Sequence, residues 1–170
     1  MENITSFEVE RASSLKGEQV IRLLKEVAQW LKNNEINQWG YLLQGGDDME
    51  ILKAIENKET FIVIENGEMV GTFTLSSKQS EWDKHIFGVE DSSDSLYLHR
   101  LAVSSKYMGK GIGKSMLKWI EENHQSEKTY LKLDCVADNQ RLNQFYRENG
   151  FTYIGETDNH SKYQKDLLRR

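Results

Sequence analysis

The sequence predicts an α/β fold of mixed α+β type, a single domain with a central mixed, mostly antiparallel sheet and flanking helices. Three observations carry this expectation. Two apolar runs, Thr60–Glu65 and Glu68–Leu75, flank Asn66-Gly67, a pair that tolerates positive φ and closes a hairpin. Strand–helix–strand patterns follow in the second half, and parallel neighbours need such a right-handed crossover. Two final strands, Phe151–Thr157 and Lys162–Leu168, add antiparallel pairing. A chain of 170 residues fits one domain over 1–170 and is long enough to bury about 70% of its unfolded surface.

The elements follow in order. Ser6–Arg11 is a short strand. Lys16–Asn33 has helical spacing, with Val20, Leu23, Leu24, Val27, Trp30 and Leu31 on one face. Asn33-Asn34 ends it, and Asn37–Gly46 reads as irregular. Asp47 or Asp48 caps a short helix through Lys58 that turns Ile51, Leu52 and Ile55 inward. After the hairpin, Ser76–Asp94 is polar, rich in serine and reads as a long loop. Ser95–Val103 is a strand, and Gly111–His124 a helix with Ile112, Met116, Trp119 and Ile120 on one face. Thr129–Val136 is a strand, and Asn139–Asn149 a helix carrying Leu142, Phe145 and Tyr146.

Composition narrows the function. One cysteine, Cys135, excludes an intramolecular disulfide. The start Met1-Glu2-Asn3 has no basic region followed by an apolar block, and Phe61–Ile64 is too short an apolar run to span a bilayer. A soluble cytoplasmic protein without membrane contact is expected. A net charge of −5 argues against nucleic acid as a general partner. The scattered histidines His85, His124 and His160 give no ligand pair for a metal.

The informative stretch runs from Leu96 to Gly113. A strand ends in Leu101-Ala102-Val103, Met108 precedes Gly109-Lys110-Gly111-Ile112-Gly113, and a helix follows. Glycines there let backbone approach a ligand, and the unpaired N–H groups of a helix start attract phosphate. Lys110 and Lys114 add positive charge. Three glycines at alternate positions are more than a tight turn requires. Gly113-Lys114-Ser115 imitates the end of a nucleoside-triphosphate loop, but that loop needs glycine where Met108 stands. A dinucleotide fingerprint would need a third glycine at Lys114 or at Met116.

The spacing instead resembles the GNAT superfamily of acetyl-CoA-dependent N-acetyltransferases, whose pattern is Gln/Arg-x-x-Gly-x-Gly/Ala after a strand ending Leu-x-Val. Met108 stands where the family usually has Gln or Arg. A second stretch, Asn139 through Phe151, looks like the family's Asn-x-x-Ala-x-x-Phe/Leu-Tyr-x-x-x-Gly-Phe, with Leu142 at the usual alanine. The order of elements is similar over nearly the whole chain. The resemblance implies that acetyl-CoA is the cosubstrate. It also implies that the amides from Met108 to Lys114 hold its diphosphate, and that main-chain groups of Leu101, Ala102 and Val103 hold the pantetheine arm where a bulge splays two parallel strands. A backbone N–H there would stabilise the oxyanion. Asn139 would lie near the coenzyme as well as capping its helix.

The same resemblance implies direct attack of an amine on the thioester without a covalent intermediate, which leaves Cys135 as a packed thiol. Tyr146 matches the family's general acid; by spacing alone it reads rather as a core tyrosine one turn from Leu142. Tyr97, His99 and Leu101 share a strand face by the two-residue period, and His99 is the candidate base because free imidazole titrates near neutrality. Trp39 and Tyr41 are candidate walls of the acceptor pocket. The acidic loop, with Glu81, Asp83, Glu90, Asp91 and Asp94, suggests a cationic small-molecule or peptide amine. A homodimer is left open. Two rivals stand beside this reading: an acyl-CoA sensor without turnover, and a nucleotide binder using Gly113-Lys114-Ser115.

Overall fold

The structure, a computed structural model, describes residues 7–36, 38–90, 94–124 and 127–167. Met1, Glu2, Asn3, Ser6, Asn37, Asp91 and Leu168, each used in the sequence reading, lie outside the described residues. The elements are β1 (Glu8–Arg11), α1 (Gly17–Asn33), α2 (Asp48–Glu56), β2 (Thr60–Glu65), β3 (Glu68–Ser76), α3 (Glu81–Phe87), β4 (Ser95–Val103), α4 (Ile112–Asn123), β5 (Tyr130–Val136), α5 (Gln140–Glu148), β6 (Thr152–Thr157) and β7 (His160–Asp166). Short 3₁₀ turns occupy Ser14–Lys16, Gly40–Gln44 and Ser105–Tyr107. The strand order is β1-β2-β3-β4-β5-β7-β6. It is a mixed, mostly antiparallel arrangement in which β4 and β5 form the parallel pair. The chain divides into two compact units, residues 1–74 with 100–116 and residues 75–99 with 117–170. The divisions fall inside β3, β4 and α4 rather than in linkers.

In the first unit, β1 and β3 flank β2 antiparallel. The β2–β3 hairpin closes as its dipeptide dictates, with Asn66 at φ 53 and Gly67 at φ 78. The predicted face of α1 is buried, and Val20, Leu24 and Val27 pack with Ile51 and Ile55 of α2, Ile62 of β2 and Ala102 of β4. Leu52 departs from expectation. It is 44% exposed, because a residue one step from Ile51 turns about 100° away on a helix. Asp47 occupies the N-cap position of α2 but makes no side-chain cap bond. Its Oδ2 instead accepts from Arg100 Nε at 2.9 Å and lies 2.8 Å from Arg100 Nη2. A charge-assisted pair outcompetes a single backbone amide.

In the second unit, β7 lies between β5 and β6, antiparallel to both. β7 begins at His160, two residues earlier than predicted. Asp158 at φ 48 and Asn159 at φ 62 make the whole turn, so no further linking residues are needed. Tyr146 of α5 packs edge-on to Phe151 and tilted against Tyr163, whose ring is fully buried.

The largest correction concerns the serine-rich segment. Residues 76–94 are not one loop, because Glu81–Phe87 is helical. Ser80 Oγ accepts from the Asp83 amide at 3.1 Å, and Asp83 Oδ2 accepts from the Ser80 amide at 2.9 Å. That reciprocal capping box supplies the nucleus that bulk polarity hides.

Gly71 sits where β3 passes close to β4. A Cβ added there would stand 3.0 Å from the Ala102 carbonyl oxygen and 3.2 Å from Met116 Sδ. Gly71→Ala is therefore expected to lower unfolding free energy by about 1–3 kcal/mol through overpacking. Urea unfolding checks this, and an unchanged midpoint would contradict it.

Candidate active site

The first unit carries the glycine segment. Gly109 and Gly111 take φ 79 and φ 80, a region that L side chains rarely adopt. A Cβ built at either position meets nothing within 4 Å, so the space beside the turn is open there. Among the described residues, the amides of Gly109 through Lys114 take no backbone partner, and the first return bond of α4 runs from Ser115 N to Gly111 O at 3.0 Å. Lys110 is exposed, with its Nζ over the Tyr107 ring, and Lys114 is exposed one turn on. Ile112 is buried and anchors the helix start. This donor set suits a diphosphate.

A carboxylate that the sequence reading missed fixes the approach to this turn. Glu26 Oε1 on α1 accepts from Ser104 Oγ at 3.2 Å, Ser105 Oγ at 3.0 Å and Ser105 N at 3.2 Å. Ser104 N also donates to Val70 O at 2.8 Å. Met108 packs its side chain against the core of this unit, which accounts for an apolar residue at that position. Trp39 packs on the same core, whereas Tyr41 is 52% exposed.

Strand β4 changes conformation at Arg100, whose φ is 52. The β4–β5 ladder registers Ser95, Tyr97 and the residue between them against Tyr130–Lys132. The two-residue alternation therefore holds for Tyr97 and His99 but is interrupted before Leu101. Ala102 is buried, while Leu101 and Val103 are half-buried.

The second unit holds the polar side chains. Asn139 caps α5, its Oδ1 accepting from the Leu142 amide at 3.1 Å. Asn143 was not anticipated. Its Nδ2 donates to Asn139 O at 2.8 Å and Val136 O at 3.1 Å, and its Oδ1 accepts from Tyr163 Oη at 2.7 Å. It thereby locks the end of β5 to the start of α5, beside Tyr146. Tyr146 is buried, and desolvation pushes its hydroxyl well above the usual tyrosine range, with the Cys135 and Asp134 charges acting in the same direction. It stays protonated at neutral pH.

His99 meets a buried carboxylate. Its Nε2 lies 3.1 Å from Asp83 Oδ2, and the Asp83 side chain is 1% exposed. Nearby, Trp82 Nε1 donates to Asp134 Oδ2 at 3.0 Å. Burial raises the Asp134 carboxyl, opposed by the Trp82 bond and by the positive charge available on His99 and His160. Three of the carboxylates expected in the acidic loop have partners. Glu81 pairs with Lys84, Asp83 with His99, and Glu90 with Lys132 at 2.8 Å. Among the described residues no group of three or more His, Cys, Asp or Glu could hold a metal ion, and no helix is long and apolar enough to cross a membrane.

The sequence model of the acetyltransferase (GNAT) family matches residues 24–151. The chain belongs to the GNAT acetyltransferase family. It is an acyltransferase by class. The uncharacterized N-acetyltransferase YesJ of Bacillus subtilis is 37% identical over 152 residues, covering 88% of this chain and 84% of that one. A GNAT-family acetyltransferase of Listeria monocytogenes superposes with a TM-score of 0.81 at 29% identity, over 94% of both chains. The PaiA N-acetyltransferase of Thermoplasma acidophilum, solved in complex with coenzyme A, shares the fold with a TM-score of 0.74 at 16% identity, over 95% of this chain and 99% of that one.

In this GNAT chain the roles of three residues escaped the sequence reading. Asp83 carried a readable signal, the Ser80-x-x-Asp83 capping pattern. Glu26 carried none, because its partners Ser104 and Ser105 are distant in sequence, and Asn143 carried none for its bond to Tyr163, 20 residues on. Cys135 is buried, and desolvation with the neighbouring Asp134 charge pushes its thiol up to about 12. Labelling by a disulfide reagent at pH 8 is expected to be slower by at least about a hundredfold in the native protein than in denaturant. Equal rates would contradict the packed-thiol assignment.

Proposed function

We propose that residues 1–170 act as one N-acetyltransferase domain that moves the acetyl group of acetyl-CoA to a primary amine by direct attack in a ternary complex. The observation that carries the proposal is the run of unbonded amides from Gly109 to Lys114 beside an open turn. Those amides, with Lys110 and Lys114, hold the diphosphate. The Met108 amide contributes less, because it already leans on Ser105 O at 3.4 Å. Main-chain groups of Leu101, Ala102 and Val103 hold the pantetheine arm, and one N–H there steadies the oxyanion.

His99 accepts the proton of the incoming ammonium. The amine nitrogen then bonds to the thioester carbon, and the carbon–sulfur bond breaks with its electron pair on sulfur. Tyr146, kept neutral by burial, donates its hydroxyl proton to that sulfur, and the proton that the acylated nitrogen sheds on becoming the amide restores the phenol. Asn139 acts through the strand-to-helix turn that it caps. Tyr41, exposed on its 3₁₀ turn, is available to the acceptor, while Trp39 supports it from the core.

Thiol release from acetyl-CoA across a panel of cationic, neutral and peptide amines tests the proposal. Amine-dependent release is expected, and Tyr146→Phe should lower kcat by about 10²–10⁴-fold. Tight acetyl-CoA binding with no release for any amine would favour a sensor. Unchanged turnover in Tyr146→Phe would remove the assigned acid.

A further inference from the structure

We infer that Asp83 is the positioning residue for His99: it holds the imidazole as the Nε2–H tautomer and leaves Nδ1 as the atom that takes the proton of the acceptor amine. This rests on the proposed role of His99 as base, and it adds the atom, the tautomer and the partner.

The geometry gives the tautomer. An ionised carboxylate is acceptor-only. Asp83 Oδ2 lies 3.1 Å from His99 Nε2, so the ring hydrogen belongs on Nε2. A neutral imidazole has one N–H, so the lone pair is left on Nδ1. Among the described residues Nδ1 has no hydrogen-bond partner, and the His99 side chain is not fully buried, with 19% of its surface exposed.

The surroundings fix Asp83 in turn. Its Oδ2 also accepts from the Ser80 amide at 2.9 Å, and its own amide donates to Ser80 Oγ at 3.1 Å, so the start of α3 clamps the carboxylate. The residue is fully buried, and its Oδ1 has no hydrogen-bond partner. Its charge is thus compensated through Oδ2 alone, in surroundings where water screens little. When Nδ1 takes a proton, the new positive charge spreads over a ring that already faces this anion. Asp134 on β5 adds a second carboxyl near the ring, held by the Trp82 indole, and the His160 ring of β7 stands edge-on to that indole. The capping role of Asp83 explains its bonds to Ser80. It does not require an imidazole 16 residues away in sequence to take the same oxygen.

The two roles separate in one substitution. Asp83→Asn can place its amide oxygen where Oδ2 stands, keeping the Ser80 and His99 bonds, while the charge is lost. Expected for D83N are a helical content and melting temperature close to wild type, a KM for the amine within about twofold, and a kcat lower by about 10–100-fold, the usual effect of losing a partner that orients a functional histidine. Long-range ¹H–¹⁵N spectra of histidine-labelled wild-type protein should show His99 as the Nε2–H tautomer. A folded D83N with wild-type kcat, or a His99 ring protonated at Nδ1 alone, would overturn the inference and leave the acetyltransferase reading standing. Wild-type turnover in His99→Gln would overturn the base assignment itself, and this inference with it.

Discussion

The first amides of an α-helix have no carbonyl behind them, and among the described residues those at the start of α4 take no backbone partner from elsewhere. That constraint organises the first unit. Gly109 and Gly111 adopt φ near +80 and keep the turn open. Ile112 is driven into the core so that the helix start cannot drift. Glu26 fastens Ser104 and Ser105 just upstream. A run of donors costs free energy when buried without partners, so it persists where water or an anion can reach it. The exposed Lys110 and Lys114 make the anion the better match in a chain of net charge −5.

The second unit solves a different problem, that of presenting titratable groups with defined hydrogens. Tyr146 is desolvated and therefore neutral, with Asn143 bracing its helix against Val136 and Tyr163. His99 is oriented by a buried carboxylate that a capping box pins. In both cases the group with chemical potential lies on a regular element, and a side chain with several bonds supports it from behind.

Much of the fold is legible in the sequence, because its signals are local. Asn66-Gly67 dictates the hairpin, and the spacing from Val20 to Leu31 dictates the buried face of α1. Asn139 caps α5 as its position suggests. The misreadings occur where a distant partner overrides local preference. Asp47 leaves its helix cap for Arg100, and Asp83, read as one of the loop carboxylates that suggest a cationic amine, is buried and faces His99. Periodicity also could not foresee the positive φ of Arg100, which breaks the face expected to join His99 to Leu101. The glycine pattern was visible because it is contiguous, whereas Glu26 and Asn143 act through contacts that only folding creates.

Amide chemical shifts recorded while coenzyme A is titrated into ¹⁵N-labelled protein test whether the donors at the start of α4 hold the coenzyme. Saturable downfield movement of the amide protons of Gly109 through Lys114 is expected, as each gains a charged acceptor, ahead of smaller changes elsewhere. Binding that leaves those six amides unmoved while other regions respond would contradict it.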